Sequence, residues 1–290
     1  MLGIVLEQSR RGASPRVRRR RTLVAATAGL LVIAGGGAVI LGGLTGRATS
    51  GDTGPTTSAA PTETEPAITP AEPRPSPSAS PDPAAAPTFD REAHSIDDPN
   101  SIWVVVDKLR PLNPTDYSPG DLVDVPVPFQ NKPQLRQEAS DAVVALFAAF
   151  TAETGLALQS QSAFRSFDAQ TRVYNNDLVN LGQAGADLST ARPGTSEHQT
   201  GLTIDISAQP GECSLNACFA DTPHGQWLAA NAWRFGYLLR YPADKIPVTG
   251  YEFEPWHFRY IGIDLATEMH NTGVTTLEEF FGLPAAPSYG

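Results

Sequence analysis

Cysteine is nearly missing from this sequence, with only Cys213 and Cys218 among 290 residues. No second pair exists, so a four-cysteine zinc site is excluded. Four residues separate the two in "CSLNAC", which suits a small disulfide loop formed in an oxidising compartment. Charge is missing from Thr22 to Gly46, a run of 25 residues. As a helix such a run would be about 37 Å long, against roughly 30 Å of membrane hydrocarbon. No cysteine follows it, which excludes a lipoprotein anchor. Aromatic residues are missing from 48–88, a stretch that instead holds ten prolines. It cannot bury enough apolar surface to offset the entropy of ordering, and is expected to be an extended, disordered linker. Basic residues are scarce beyond the first 21 positions, which hold seven arginines and one acid, Glu7. Without those positions the formal charge moves from −10 to −16. So acidic a remainder argues against nucleic acid and anionic lipid as partners. No internal repeat is present.

The chain therefore reads as five segments. Residues 1–21 form a basic segment that the arginines place in the cytoplasm. Residues 22–46 read as a transmembrane signal anchor. The alternative is a cleaved signal peptide, whose apolar region is typically only about 7–15 residues. Either way everything after residue 46 is exported. Residues 47–88 are the linker, 89–283 have globular composition, and 284–290 form a short tail.

Within 89–283 the apolar pattern predicts mixed elements. "SIWVVV" (101–106) reads as a strand, Leu135 to Thr154 as a helix closed by Gly155, and "LALQSQSAF" as a strand delivering Arg165 and Ser166. Ser166 is placed to cap a helix over 168–181. "GLTIDIS" alternates, with Leu202, Ile204 and Ile206 on one face and Thr203, Asp205 and Ser207 on the other. Thr222 and Pro223 open a helix that runs to Gly236. "YLLR" and "YEFEPWHFRYIG" read as strands, followed by a helical tail. Strands and helices without regular alternation predict an α+β domain.

Two clusters carry chemistry. In "TSEHQTGLTIDIS", His198 precedes Asp205 by seven residues, about 23 Å if extended. Gly201 supplies a turn that could bring them together. In "YEFEPWHFRY", Pro255 interrupts the ladder, so Glu254 and His257 can reach one cavity. Two imidazoles, one ligating carboxylate and one spare carboxylate are the inventory of a catalytic zinc with its fourth position left to water. The spare glutamate would act as general base. A fixed cation, best supplied by Arg165, would stabilise an oxyanion or bind a substrate carboxylate.

These residues carry a resemblance. "SEHQTGLTID" resembles the Ser-x-His-x-x-Gly-x-Ala-x-Asp motif of the VanY-type D-alanyl-D-alanine carboxypeptidases, and "GYEFEPWHFRYIG" is similar to their Glu-Pro-Trp-His block. "SIWVVVDKLRPLNPTDYSPGDLV" and "AFRSFDAQ" resemble two upstream segments, so the likeness runs from about residue 95 to 283. It implies a mainly antiparallel sheet flanked by helices, one zinc ion on His198, Asp205 and His257, and Glu254 as base. It further implies Arg165 at the substrate or transition state, with Gln170 and Ser196, at recurring motif positions, as candidate substrate contacts; Trp256, beside Glu254 and His257, is a further candidate as a wall of the pocket rather than its filling. The implied substrate is a peptidoglycan stem peptide or precursor ending in D-Ala-D-Ala. A D,D-dipeptidase, a stem-peptide endopeptidase and a non-catalytic wall-binding module are the alternatives. Thr203 departs from the alanine of the motif. Glu197 is expected to be a bystander, and His94, His224 and His270 to be surface or capping residues.

Overall fold

The computed structural model describes residues 89–290. The basic segment 1–21, the anchor 22–46 and the linker 47–88 expected from sequence lie outside the described residues. Among the described residues, no helix is long and apolar enough to cross a membrane.

The first apolar run does not form the expected strand. Residues 101–106 are irregular, yet Trp103, Val104, Val105 and Val106 are buried. Their backbone is satisfied in another way, because the Arg259 guanidinium donates to the carbonyls of Ile102 and Val104. A buried side chain thus occupies acceptors that a neighbouring strand would have used.

Strands β1 (Leu122–Asp124) and β2 (Gln134–Arg136) form a small antiparallel pair that leads into helix α1 (Gln137–Thr154). Helix α1 buries Ala139, Val143, Leu146, Phe147 and Phe150, and ends where Gly155 takes a left-handed φ of 71°. Strand β3 (Leu158–Ser162) follows, then helix α2 (Phe167–Ser189), whose first turn is capped by the Ser166 side chain accepting from the Ala169 N–H. The first part of this helix ends where expected, at 181, and a second helical part follows. Gly182 breaks it at φ 73°, and a bond from the Tyr174 hydroxyl to Asp187 ties the second part to the first.

Strand β4 (Thr203–Ala208) is buried on both faces. Leu202, Ile204 and Ile206 join the apolar cluster of α1, each worth about 1.5–3 kcal/mol of burial. The polar face, Thr203, Asp205 and Ser207, is equally sequestered. Helix α3 (Pro223–Asn231) starts on the Thr222 cap, but reaches Gly236 only through a 3-10 turn over Ala232–Phe235. Strand β5 (Tyr237–Leu239), the short helix α4 (Ile246–Thr249) and strand β6 (His257–Tyr260) follow. The second chemical cluster is thus strand only from His257 onward. Helices α5 (Ile263–Thr272) and α6 (Leu277–Phe281) pack Leu265, Met269, Leu277 and Phe280 with Trp103 and Val105.

The main sheet has the order β3-β4-β6-β5, with every neighbouring pair antiparallel. Its central register sets Asp205 directly opposite His257. Residues 284–290 are more than a tail: Ala286 is fully buried and its N–H donates to the Val248 carbonyl. The Tyr289 hydroxyl accepts from the Arg192 N–H at 2.7 Å and lies 3.3 Å from the Tyr251 hydroxyl.

Candidate active site

A 3-10 turn over Glu197–Thr200 carries His198, and Gly201 closes it at φ 68°. A side chain at Gly201 would also collide with Leu122, at 2.8 Å. The chain can therefore reverse tightly here and enter β4, which returns Asp205 towards His198. The antiparallel register then adds His257 from β6. Candidate ligand atoms of His198, Asp205 and His257 all lie within 4.8 Å of one another, and all three residues are buried.

Hydrogen bonds select which atom each histidine presents. The Nδ1 of His198 lies 2.7 Å from the Ala163 carbonyl, so it carries the proton, and Nε2 faces Asp205 Oδ2 at 3.3 Å. His257 is turned the other way. Its Nε2 lies 3.3 Å from Glu197, while Nδ1 faces Asp205 Oδ1 at 3.4 Å and Glu254 Oε2 at 3.3 Å. Asp205 Oδ1 is buried with no hydrogen-bond partner. The convergent atoms are thus Nε2, a carboxylate oxygen and Nδ1, with one acceptor left unsatisfied.

The electrostatics favour a positive charge at this point. Burial pushes the Asp205 carboxyl up, but His198 and His257 outweigh it and hold the carboxyl well below its usual range. Burial lowers His198. Burial would also lower His257, yet the carboxylates of Asp205, Glu197 and Glu254 that face it carry it well above an ordinary imidazole. Glu254 behaves differently: burial raises its carboxyl, and His257 offsets this only in part. A raised carboxyl beside ligand-type groups is the state expected of a proton acceptor and donor.

Glu197 is no bystander. Its side chain is fully buried, with Oε1 accepting from Arg240 Nε at 2.8 Å and Arg259 Nη1 at 3.1 Å. Burial alone would raise this carboxyl, and the two guanidinium groups reverse the shift and hold it ionised. Arg240 in turn makes a two-pronged pair with Glu278, at 2.9 and 2.6 Å. The Glu197 carboxylate so anchored orients His257 by the hydrogen bond to its far nitrogen.

These groups open onto a cleft of about 180 Å³. Arg165, Gln170, Ser196, Glu254 and Trp256 all line it, as the sequence motifs imply. Gln170 is fully buried, and both ends of its amide are committed, accepting from Arg165 at 2.9 Å and donating to Ala191 at 2.7 Å. It therefore holds Arg165 and the facing wall in place. The Thr203 hydroxyl is buried without a partner, a polar group that the strand does not use. His94, His224 and His270 lie against Trp103, Phe150 and Trp233 and are not among the residues that line the cleft. Sequence reasoning missed Tyr241, Tyr251, Leu215 and the strip Ser189–Ala191, all of which line it. They sit in loops or helix ends without a local pattern. Cys213 and Cys218 are joined in a disulfide.

Comparison with known proteins agrees with this geometry. Residues 132–263 match the family model "VanY: D-alanyl-D-alanine carboxypeptidase". YodJ, a carboxypeptidase candidate of Bacillus subtilis, is 40% identical over 192 residues, covering 64% of this chain and 69% of its own. The chain belongs to the VanY family. The solved LD-carboxypeptidase LdcB is 39% identical with a TM-score of 0.59, over 63% of this chain and 87% of its own. A mutant of the vancomycin-resistance D,D-pentapeptidase VanY, solved with Zn(II), is 29% identical with a TM-score of 0.52, over 61% and 97%. The present chain is thus a peptidase of the VanY family with an α+β fold. Its convergent donor set fits the ion found in that relative: two imidazole nitrogens, one carboxylate oxygen and an unsatisfied acceptor among them.

Proposed function

We propose that this chain is a zinc-dependent D-alanyl-D-alanine carboxypeptidase that removes the terminal D-alanine from peptidoglycan stem peptides. The observation that carries this reading is the placement of Glu254. Its carboxylate lies 3.3 Å from the cleft-facing nitrogen of His257, beside the three-ligand cluster, and burial raises its affinity for a proton.

In this reading His198 Nε2, Asp205 and His257 Nδ1 would hold the ion. Zinc, when bound, supplies a Lewis acid and lowers the pKa of water to about 7. Glu254 accepts the proton of the attacking water and returns it to the leaving amine, a contribution of about 10²–10⁴ in rate. Arg165, held by Gln170 and Ser162, binds the terminal carboxylate or the developing oxyanion. Glu197 keeps the far nitrogen of His257 protonated, so that Nδ1 presents its lone pair. The Cys213–Cys218 bond supports an extracytoplasmic site of action, reached through the uncharged segment 22–46.

The identity to LdcB favours a second reading, in which the terminal D-alanine is cut from a tetrapeptide stem after an L-centre. One experiment separates the two. The full chain is incubated with zinc and either a pentapeptide or a tetrapeptide stem, and alanine release is followed by mass spectrometry. Release from the pentapeptide supports the D,D assignment, and release from the tetrapeptide alone moves the assignment to L,D. Release of dipeptide or internal fragments redirects it to a dipeptidase or endopeptidase. No release from either, or equal release after Glu254→Ala, sinks the catalytic reading.

A further inference from the structure

The loop between β4 and α3 holds one residue that its own fold does not need. Leu215 is 48% exposed, a large apolar side chain in water, and it lines the catalytic cleft. It also has a φ of +51°, shared in this loop only with the disulfide-bonded Cys213, a left-handed backbone conformation that side chains with a Cβ rarely adopt. A leucine that is both exposed and in that conformation gains nothing visible from the fold around it.

Everything beside Leu215 is fastened. Cys213 packs on the main apolar cluster and is bonded to Cys218. Ser214 receives a hydrogen bond from Gln161 at 3.3 Å, and Gln161 also bonds Ser207 on β4. The Asn216 side chain accepts from the Cys218 N–H, and its own N–H donates to the Cys213 carbonyl. Phe219, just beyond, is fully buried. The disulfide-closed loop is therefore a rigid mount, and Leu215 is the residue it projects. An observed backbone outlier that nothing in the fold rewards is a pointer to function.

We propose that Leu215 is a specificity-determining residue, packing against the aliphatic side chain of the diamino acid at the third position of the stem peptide. The inference rests on the peptidase reading above and deepens it. Of the polar lining, Arg165 and Ser196 suit carboxylate and backbone, whereas the Gln170 amide and the Ser189 and Thr190 hydroxyls are already bonded within the protein. The leaving D-alanine carries only a methyl group. A methylene chain long enough to meet a residue on the exposed rim belongs to the diamino acid further back, and Leu215 offers it an apolar partner.

The test uses the full, zinc-loaded chain and two stem peptides that differ only in lysine or alanine at the third position. The wild type is expected to prefer lysine through KM. Leu215→Asn removes the apolar tip with a residue that tolerates positive φ. It should raise KM for the lysine peptide roughly tenfold, the scale of a lost methylene contact. The value of kcat should stay within about twofold, the alanine peptide should be unaffected and the thermal midpoint should not fall. Leu215→Met should restore the preference. Reducing the disulfide should reproduce the KM shift in the wild type and add nothing in Leu215→Asn, the non-additivity expected of coupled groups. Equal losses on both peptides, unchanged KM, or a lowered midpoint that methionine does not rescue overturns the proposal. A wild type that cleaves both peptides equally well also overturns it alone, whereas a wild type that cleaves neither removes the peptidase reading and this inference with it.

Discussion

Two clusters of buried charge meet at His257, and they are built on opposite plans. In the first, Glu197, Arg240, Arg259 and Glu278 are closed on one another, and both oxygens of Glu278 and the buried Oε1 of Glu197 face a guanidinium. In the second, His198, Asp205, Glu254 and His257 leave a buried oxygen of Asp205 unpartnered and turn their acceptors towards a cleft. Burying a charge is costly in either case. The closed cluster offsets the cost internally and so serves structure. The open one leaves part of the cost standing, which is the condition for binding something positive.

That contrast can be broken from either side. The largest effect is expected for Glu254→Gln, which keeps the shape of the open cluster and removes the proposed base. Turnover should fall by about 10²–10⁴, while zinc content by atomic absorption and the thermal midpoint stay near wild type. Next is Arg240→Ala, which leaves Glu278 and Glu197 short of a counter-charge. Urea unfolding should register a loss of about 3–5 kcal/mol. Glu197→Gln touches both clusters at once. It keeps the side-chain length but loses the charge facing His257 and the two arginines, so zinc affinity in competition with a chelator should fall about 10–100-fold.

The smallest effect belongs to a more exposed cluster that sharpens the comparison. Burial pushes the Asp187 carboxyl up, but hydrogen bonds from Arg192, Tyr174 and Gln183 hold it at about 2. Its folded pKa lies below the unfolded value of about 3.9, so its stabilisation is present above that pH and fades as pH falls towards 2. The difference in thermal midpoint between wild type and Asp187→Asn should therefore be modest near pH 6 and shrink through that window. A difference that grows on acidification would contradict the assignment.

The open cluster was far more legible in sequence than the closed one. "SEHQTGLTID" and "EPWH" carry local spacing, with a glycine where a turn must be and a proline where a ladder must stop. Ser166 likewise announced the start of α2. The partners of Glu197 are 43 and 62 residues away, and Glu278 reaches Arg240 across 38. No periodicity or motif relates positions so distant, so Glu197 read as a bystander. The same gap explains the missing strand at 101–106. Its apolar run was plain, but that Arg259 would occupy its carbonyls could be seen only in three dimensions. The packed segment around Ala286 and Tyr289 was invisible because its composition is that of a loop.

The pairing of Asp205 with His257 reaches beyond catalysis into folding. A slip of β6 by one residue against β4 would turn His257 to the opposite face of the sheet and separate it from Asp205. An ion that needs both residues therefore recognises only the correct pairing, and stabilises it by an amount that rises with its free concentration. If the proposed site takes its metal, metal supply would thus favour the correct strand register over a slipped one.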